Sequence, residues 1–589
     1  MLLVTTALEE TWGTEDDLLF LGEWCRVYDR RDLWSKRRHQ VVGNHWDDRK
    51  KLKTDHDYLV ELHGRILETL SSELNCYHET AHPQRYWQTI LDPWLLTYVA
   101  VIWDRWECLR IAFAGHQNLQ TVELEPLRSS PGFFDYSDFI QKILGDFWNY
   151  GLFLAIIESE YGDRCSKRKA PDGDIDRAGY WQPYARMPHP GSFKHRAVGF
   201  LDGFWGKCFP QNRAVIYDAY FSVGNLVKLC LGLGQMPRLF INEFAWPGSI
   251  DQPPGFSNRQ LLGDKLASVT TATTPFERFL LKRIVNDIPW VYLEGRPALQ
   301  SRVAKILMKP RAIFTANAHW GNELFKLWCA EQVLRGAKLV TMEHGGSIPP
   351  AFSSMSFEES IADKRTTWAI PYHEKHVRLP PNKLPAVDIE STRKHLAVVD
   401  YDMPRYNFRA EASPKAGQAL AQHEMVCALY ASLDQNIRKN LRVRPYPRIP
   451  WGWNIRQRLT DRFGPDKVST GQSYSQFLSQ ARVIVCTYPQ TTFSEAMASG
   501  IPTILVYPSH LWETIPEMDS LLVTLRAAKI VLHDPVVAAA HINSIWGSAE
   551  GWWNAPETLD ARSEFNRLAS SSNGDWLKCW TGFIRKMSA

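Results

Sequence analysis

The chain has little net charge for its size. Across 589 residues, 68 lysines and arginines stand against 64 aspartates and glutamates, a formal +4. So small an excess argues against bulk electrostatic binding of nucleic acid. No two cysteines make a CxxC pair, and the ten present are scattered from Cys25 to Cys579. That excludes a zinc ribbon or a dense disulfide framework and suits a reducing cytoplasm. Long apolar runs are missing as well. The longest candidate, Trp94–Trp103, is half of what crossing a bilayer needs and meets Asp104-Arg105 at its end, so it is expected as a buried core helix. Glu9 and Glu10 follow Met1–Leu8 at once, without the basic lead of a signal peptide. The expectation is a soluble, cytoplasmic protein, at most peripheral to a membrane. GxxxxGK[ST], GxSxG, HExxH and GxGxxG are absent, and no DxD-type pair stands in a convincing loop. Kinase, serine hydrolase, zinc peptidase and NAD enzyme readings lose ground accordingly. Fixed-period repeats and low-complexity tracts are absent too.

What is present is globular and aromatic. Hydrophobic content of 44% with 22% charged residues speaks against long disorder, and the length requires two or three domains. Tryptophan is abundant at 24 residues. Most of these fill cores, and the count only tilts the balance toward a carbohydrate substrate.

Strand-helix alternation organises the chain. Leu2–Leu8 reads as a strand. Helical spacing follows over Asp55–Leu74, Trp87–Phe113 and Ser137–Ile157, and Cys165–Ser192 reads as a polar, exposed excursion. Strands are expected at Ala214–Tyr220, Arg238–Ile241, Ala312–Ala316 and Lys338–Met342. Helices are expected near Asn225–Leu233, at Pro275–Asp287 and at Glu323–Arg335, the last capped by Asn322. Pro380–Pro385 is the best linker. Beyond it a second series runs through His395–Val399, Leu441–Tyr446, Val483–Cys486, Thr503–Val506 and Lys529–Leu532. Two doubly wound, Rossmann-like α/β domains facing a cleft are expected. The bounds are 1–385 for the acceptor side, enlarged by helical insertions, 386–545 for the nucleotide-sugar side, and 546–589 packing back as a helical tail.

The richest segment is Val483–Leu505. A buried strand ends in the hydroxyl-bearing turn Thr487–Thr492, a short helix follows, Gly500 stops it, and a second strand begins. A helix N-terminus with free N–H groups is a natural anion site. Thr491 and Thr492 are its added donors, and Glu495, one turn on, accepts from ribose hydroxyls; a plain capped helix without ligand fits this segment equally well. Met342–Pro349 carries His344, a donor or acid/base near neutral pH, with Gly345 and Gly346 allowing close approach of backbone to a ligand. Val443–Pro447 places Arg444 and Tyr446 at a strand end, where Arg444 pairs with a phosphate or sugar carboxylate, or else forms an interdomain salt bridge. In Leu8–Gly13, Glu10 is the candidate general base. His45–Lys53 and Arg105-Trp106-Glu107 cluster charge with tryptophan and read mainly as solvated faces or ion pairs.

Taken together, TTALEETWG (5–13), FLGEWC (20–25), HWDDRKKLKTDHDYL (45–59), RYWQTILDPWL (85–95), RWE (105–107), HGG (344–346), RPYP (444–447) and TTFSEAMASGIPTI (491–504) resemble a family of bacterial transferases from surface-polysaccharide (O-antigen) loci. The tail of the match is similar to nucleotide-sugar glycosyltransferases of the GT-B fold, including those that use CMP-linked keto-sugars of the Kdo and nonulosonate type. Glu343 stands where the resemblance expects glutamine, and SIPPAF replaces a Gly/Tyr-rich turn. The resemblance implies a glycosyltransferase of lipopolysaccharide or surface-polysaccharide biosynthesis. Its donor is a nucleotide-sugar and its acceptor a glycan or lipid-linked glycan; without a convincing metal-binding acidic pair in the sequence, neither metal nor other cofactor is expected. A GT-B-like nucleotide-sugar epimerase or hydrolase, and a non-catalytic carbohydrate-binding assembly protein, are the alternatives.

Overall fold

The computed structural model describes residues 1–14, 17–124, 132–170, 202, 213–246, 257–269, 272–346, 348–383, 387, 389–390, 392–446, 451–469, 471–570 and 575–589. Among the described residues, fifteen strands form three five-stranded sheets, and every strand pairing within them is parallel. The first holds β1 (Leu2–Val4), β2 (Leu18–Phe20), β3 (His39–Val41), β4 (Leu119–Glu123) and β5 (Cys165–Lys169), in the order β3-β2-β1-β4-β5. The second holds β6 (Ala214–Ile216), β7 (Ala312–Thr315), β8 (Lys338–Met342), β9 (Lys364–Thr367) and β10 (His376–Arg378), in the order β10-β9-β8-β7-β6. The third holds β11 (His395–Val399), β12 (Leu441–Arg444), β13 (Ala481–Cys486), β14 (Thr503–Val506) and β15 (Val531–Leu532), in the order β12-β11-β13-β14-β15.

The central strands are continuous apolar runs because helices cover both faces. β7 and β14 are buried at every position, and so are residues 483–486 of β13. Local signals act where the sequence places them. The Asn322 side chain accepts from Phe325 N at 3.0 Å and starts the helix Glu323–Leu334. Trp94–Trp103 lies inside the long helix Gln84–Gly115, most of it buried.

Several expectations need correction. Residues 1–385 hold two parallel sheets, so their enlargement is not helical alone. Arg238–Ile241 forms no strand: Asp202 binds Arg238 and also accepts from the N–H groups of Leu239 and Ile241, which takes that backbone out of any ladder. Ser137–Ile157 divides into the helices Tyr136–Ile143 and Asp146–Glu160. The stretch Cys165–Ser192 opens as β5 against β4, and its residues 171–192 lie outside the described ones. Of the linker Pro380–Pro385, Leu384 and Pro385 lie outside them too. The carbonyls of Pro380 and Pro381 accept from Trp580 and Trp576 of the terminal helix Trp576–Met587, which packs Trp580 and Ile584 onto the core of the second sheet.

Candidate active site

Parallel sheets bind ligands outside the carboxyl ends of their strands, at the point where strand order reverses. In the third sheet that point lies between β11 and β13. Asp400 follows β11, Arg444 ends β12, and the loop Thr487–Gln490 follows β13. From the second sheet, the loop after β8 meets these, and Ile348 N donates to the Pro489 carbonyl at 3.2 Å. Together they enclose a cavity of about 950 Å³.

The cavity gathers most of the residues singled out from sequence: His344, Gly345, Arg444, Tyr446, Thr491, Thr492 and Glu495 all line it. The two loops touch so closely that a Cβ on Gly345 would lie 2.0 Å from Thr491 Oγ1. Gly346 stands behind the wall, where a Cβ would strike Trp368. The helix Thr491–Ala498 begins at Gln490, whose side chain does not cap it. Arg444 donates to the Gln472 carbonyl at 2.8 Å, and its guanidinium lies near the rings of Tyr474 and Phe477. The salt bridge weighed for it from sequence is not found among the described residues. Tyr446 is 38% exposed and keeps its ring near Trp451.

Burial sets the charge states. His344 opens to solvent through the cavity, yet the surrounding protein lowers its pKa; Glu358 opposes that shift, while Arg409 and Arg365 add to it. Burial raises Glu343 to about 7, against the pull of Arg365 and of the Trp368 N–H, which donates to its carboxylate at 2.7 Å. Glu495 is raised to about 7 by burial, with Lys383 opposing at 3.9 Å. Burial and Asp400 raise Asp402 to about 8, and backbone N–H donation from Met403 opposes them. Burial works against the charge of Glu358 too, but Arg365 and His319 hold it at about 2.

Glu10 is not brought here. It sits in the short turn Glu9–Thr11 after β1 and does not line the cavity, because β1 belongs to the first sheet. That sheet also reverses order, between β1 and β4, and at its carboxyl end a protein segment is docked. The segment is residues 405–407, from the loop after β11. Arg405 donates to Asp146 at 2.5 Å and to the Trp24 carbonyl, and the Tyr406 hydroxyl donates to Asp146 at 2.6 Å. Asn407 binds Asp104 and receives Arg105 on its carbonyl. The cluster Arg105-Trp106-Glu107 is thus structural, and so is His45–Lys53: His45 binds Asp104, and Asp48 caps the helix Arg49–Tyr77.

Sequence reasoning missed the loop that follows β11. It lines the cavity with Asp400, Asp402, Arg409 and Lys415. The available signal was Asp400-Tyr401-Asp402 directly after an apolar strand. Asp400, Asp402 and Glu411 are acidic side chains of this loop that line the cavity. Among the described residues, His45, Asp104 and Cys108 also lie together, but Arg105 already compensates the Asp104 carboxylate.

Two parallel sheets whose carboxyl ends meet across one polar cavity define an α/β protein of GT-B-like, Rossmann-type architecture. The model of the LIC12162 family transferases matches residues 1–584, and the chain belongs to that family. No curated protein matches it. Among solved structures it is similar to MurG of Acinetobacter baumannii, at 14% identity over 64% of this chain and 100% of that one, TM-score 0.29. It is also similar to a UDP-forming α,α-trehalose-phosphate synthase of Burkholderia vietnamiensis, at 12% identity over 64% and 99%, TM-score 0.33. A third is WaaG, a glycosyltransferase involved in lipopolysaccharide biosynthesis, at 9% identity over 50% and 95%, TM-score 0.26.

Proposed function

We propose that this transferase moves a sugar from a nucleotide-sugar, a CMP-linked keto-sugar being favoured, to a glycan or lipid-linked glycan in surface-polysaccharide (O-antigen) assembly. The observation that carries the reading is the meeting of an uncapped helix N-terminus, two threonines and Arg444 in a cavity the size of a nucleotide-sugar. In this reading the donor phosphate lies at Thr491, Thr492 and the first N–H groups of their helix, with Arg444 beside it. Glu495, buried one turn on, accepts from ribose. Tyr446 offers a ring face to the base. Gly345 keeps the two loops close enough to enclose the phosphate.

The chemistry exchanges one bond for another. The acceptor oxygen bonds to the anomeric carbon, the bond from that carbon to the phosphate oxygen breaks, and the phosphate leaves with the electron pair. His344, neutral at pH 7, donates a hydrogen bond to the leaving oxygen. Glu343 replaces Glu10 as the base: it lines the cavity, and a pKa of about 7 suits a group that takes a proton from a hydroxyl near neutral pH. Protein dipoles and cations neutralise the leaving phosphate without a metal. The enzyme works in the cytoplasm, peripherally at the membrane that carries its acceptor.

A thermal-shift screen of CMP, UDP, GDP and dTDP tests the donor site. The correct nucleotide at 100 times its dissociation constant should stabilise by about 2.7 kcal/mol. Replacing Thr491 and Thr492 together by valine should weaken that nucleotide by about 1–3 kcal/mol, since the backbone N–H groups remain. Equal affinity in both proteins would reduce the loop to a helix start without a ligand.

A further inference from the structure

The cavity holds two cations that the donor reading leaves unused. Lys415 is 3% exposed, and its ammonium donates to the Ser413 hydroxyl at 3.0 Å. Its strongest acidic influence is Glu411, ahead of Asp104, and the Glu411 carboxylate accepts from Ser354 Oγ at 2.8 Å. Among the described residues Lys415 forms no ion pair. Arg409 stacks its guanidinium on Trp320 at 4.8 Å and on Phe408 at 4.7 Å, and its buried Nε has no hydrogen-bond partner among the described residues. Both side chains line the cavity. Glu411 is thus the main carboxylate facing both the buried Lys415 and the half-buried Arg409.

A buried ammonium without a paired anion is costly, and a site that keeps one is built to receive a negative charge. The location says which end of a ligand that charge belongs to. Arg409 and Lys415 lie on the return arm of the loop after β11, and Trp320, under Arg409, follows β7 of the second sheet. Arg409 is also close enough to His344 to depress its pKa. Thr491 and Arg444 belong to the third sheet. The second cation pair thus lies toward the wall where the reacting sugar and the acceptor meet, not where the nucleotide is held.

We propose that Arg409 and Lys415 form a second anion subsite, which takes a carboxylate or phosphate borne by the transferred sugar or by the acceptor, so that one of the two substrates is an acidic sugar. This deepens the nucleotide-sugar reading and rests on it for the orientation of the ligand. Arg409 supplies a planar fork suited to a carboxylate, and Lys415 supplies a point charge suited to either group.

Calorimetry on the full-length chain tests it. The probes are glucuronate and N-acetylneuraminate for a carboxylate, glucose 6-phosphate for a phosphate, and glucose as the neutral control. Each is titrated at saturating concentration of whichever of CMP, UDP, GDP and dTDP binds. At least one acidic probe should bind tenfold or more tighter than glucose. That preference should vanish in Arg409→Gln and in Lys415→Met, persist in Lys415→Arg, and leave nucleotide affinity within threefold. Lys415→Met should melt no lower than wild type, because it removes a buried unpaired charge, so lost binding there would not report unfolding. Equal binding of glucose and every acidic probe, or a preference that survives both substitutions, would overturn the subsite. A preference that depends on both residues in a protein without nucleotide affinity would uphold the subsite and overturn the donor reading.

Discussion

Glu343 shows what a single half-buried carboxyl does to the whole protein. Its folded pKa, about 7, stands above the ordinary value of a glutamate. Between roughly pH 4.5 and 7 the native state therefore holds a proton that the unfolded chain has released. Stability from this group is present at low pH and is lost as pH rises through 7. Asp402, raised from 3.8 to about 8, acts with the same sign over a wider window, whereas buried Lys415, lowered to about 8, works oppositely above pH 8. Glu343→Gln isolates one contribution. Its stability advantage over wild type should be about 1 kcal/mol larger at pH 8 than at pH 6, and chemical denaturation at the two pH values measures it. Gly345 is the other informative position. An alanine there drives a methyl into Thr491, so the two loops must part. Gly345→Ala should lower nucleotide affinity at least tenfold while shifting the melting temperature little, because the strain falls on two loop ends rather than on the core. Unchanged affinity would mean that the loops need not touch to hold the ligand.

At the level of elements, the loop after β11 is the piece that joins the molecule. Its near part presents Asp400 and Asp402 to the cavity, its middle binds the first sheet through Arg405, Tyr406 and Asn407, and its far part returns as Arg409 and Lys415. A buried ion pair is a weak source of net stability, but removing one partner leaves the other charge stranded. Arg405→Ala should accordingly destabilise by about 3–5 kcal/mol, whereas Arg405→Met with Asp146→Leu should recover much of that loss; denaturant midpoints of the three proteins decide it. If the double variant is stable but binds nucleotide poorly, the loop acts through positioning and not through stability alone.

Among the described residues, the molecule is three parallel sheets tied by crossings of this kind. The terminal helix is another such tie. Trp580 and Ile584, each 1% exposed, complete the core of the second sheet, although they come from the far end of the chain. A chain ended at residue 570 loses both, and at about 1.5–3 kcal/mol for each large apolar side chain the loss should be roughly 3–6 kcal/mol. A single cooperative melt at lower temperature is the expected outcome. An unchanged melting temperature would show that the helix merely rests on the surface.

Alternation of apolar and polar runs was enough to place β8, β11 and the helix Pro275–Asp287 at their observed bounds. Those signals are local: buried parallel strands are continuous apolar runs, and caps and breakers act within a few residues. These cavity-lining residues were legible for the same reason, since Thr491 and His344 each follow a strand and Arg444 ends one within the same short segment. The first sheet was not legible beyond β1. Its strands β2 and β3 are three residues long and β5 reads CSKRK, so neither length nor pattern marked them. Nor did the sequence reveal that β1 pairs in a sheet of its own, which removed Glu10 from the cavity. Arg409 and Lys415 stand in no motif or periodic pattern that would single them out. Only the docking of that loop between two sheets buries Lys415 and half-buries Arg409, and burial depends on contacts hundreds of residues apart that no local pattern encodes.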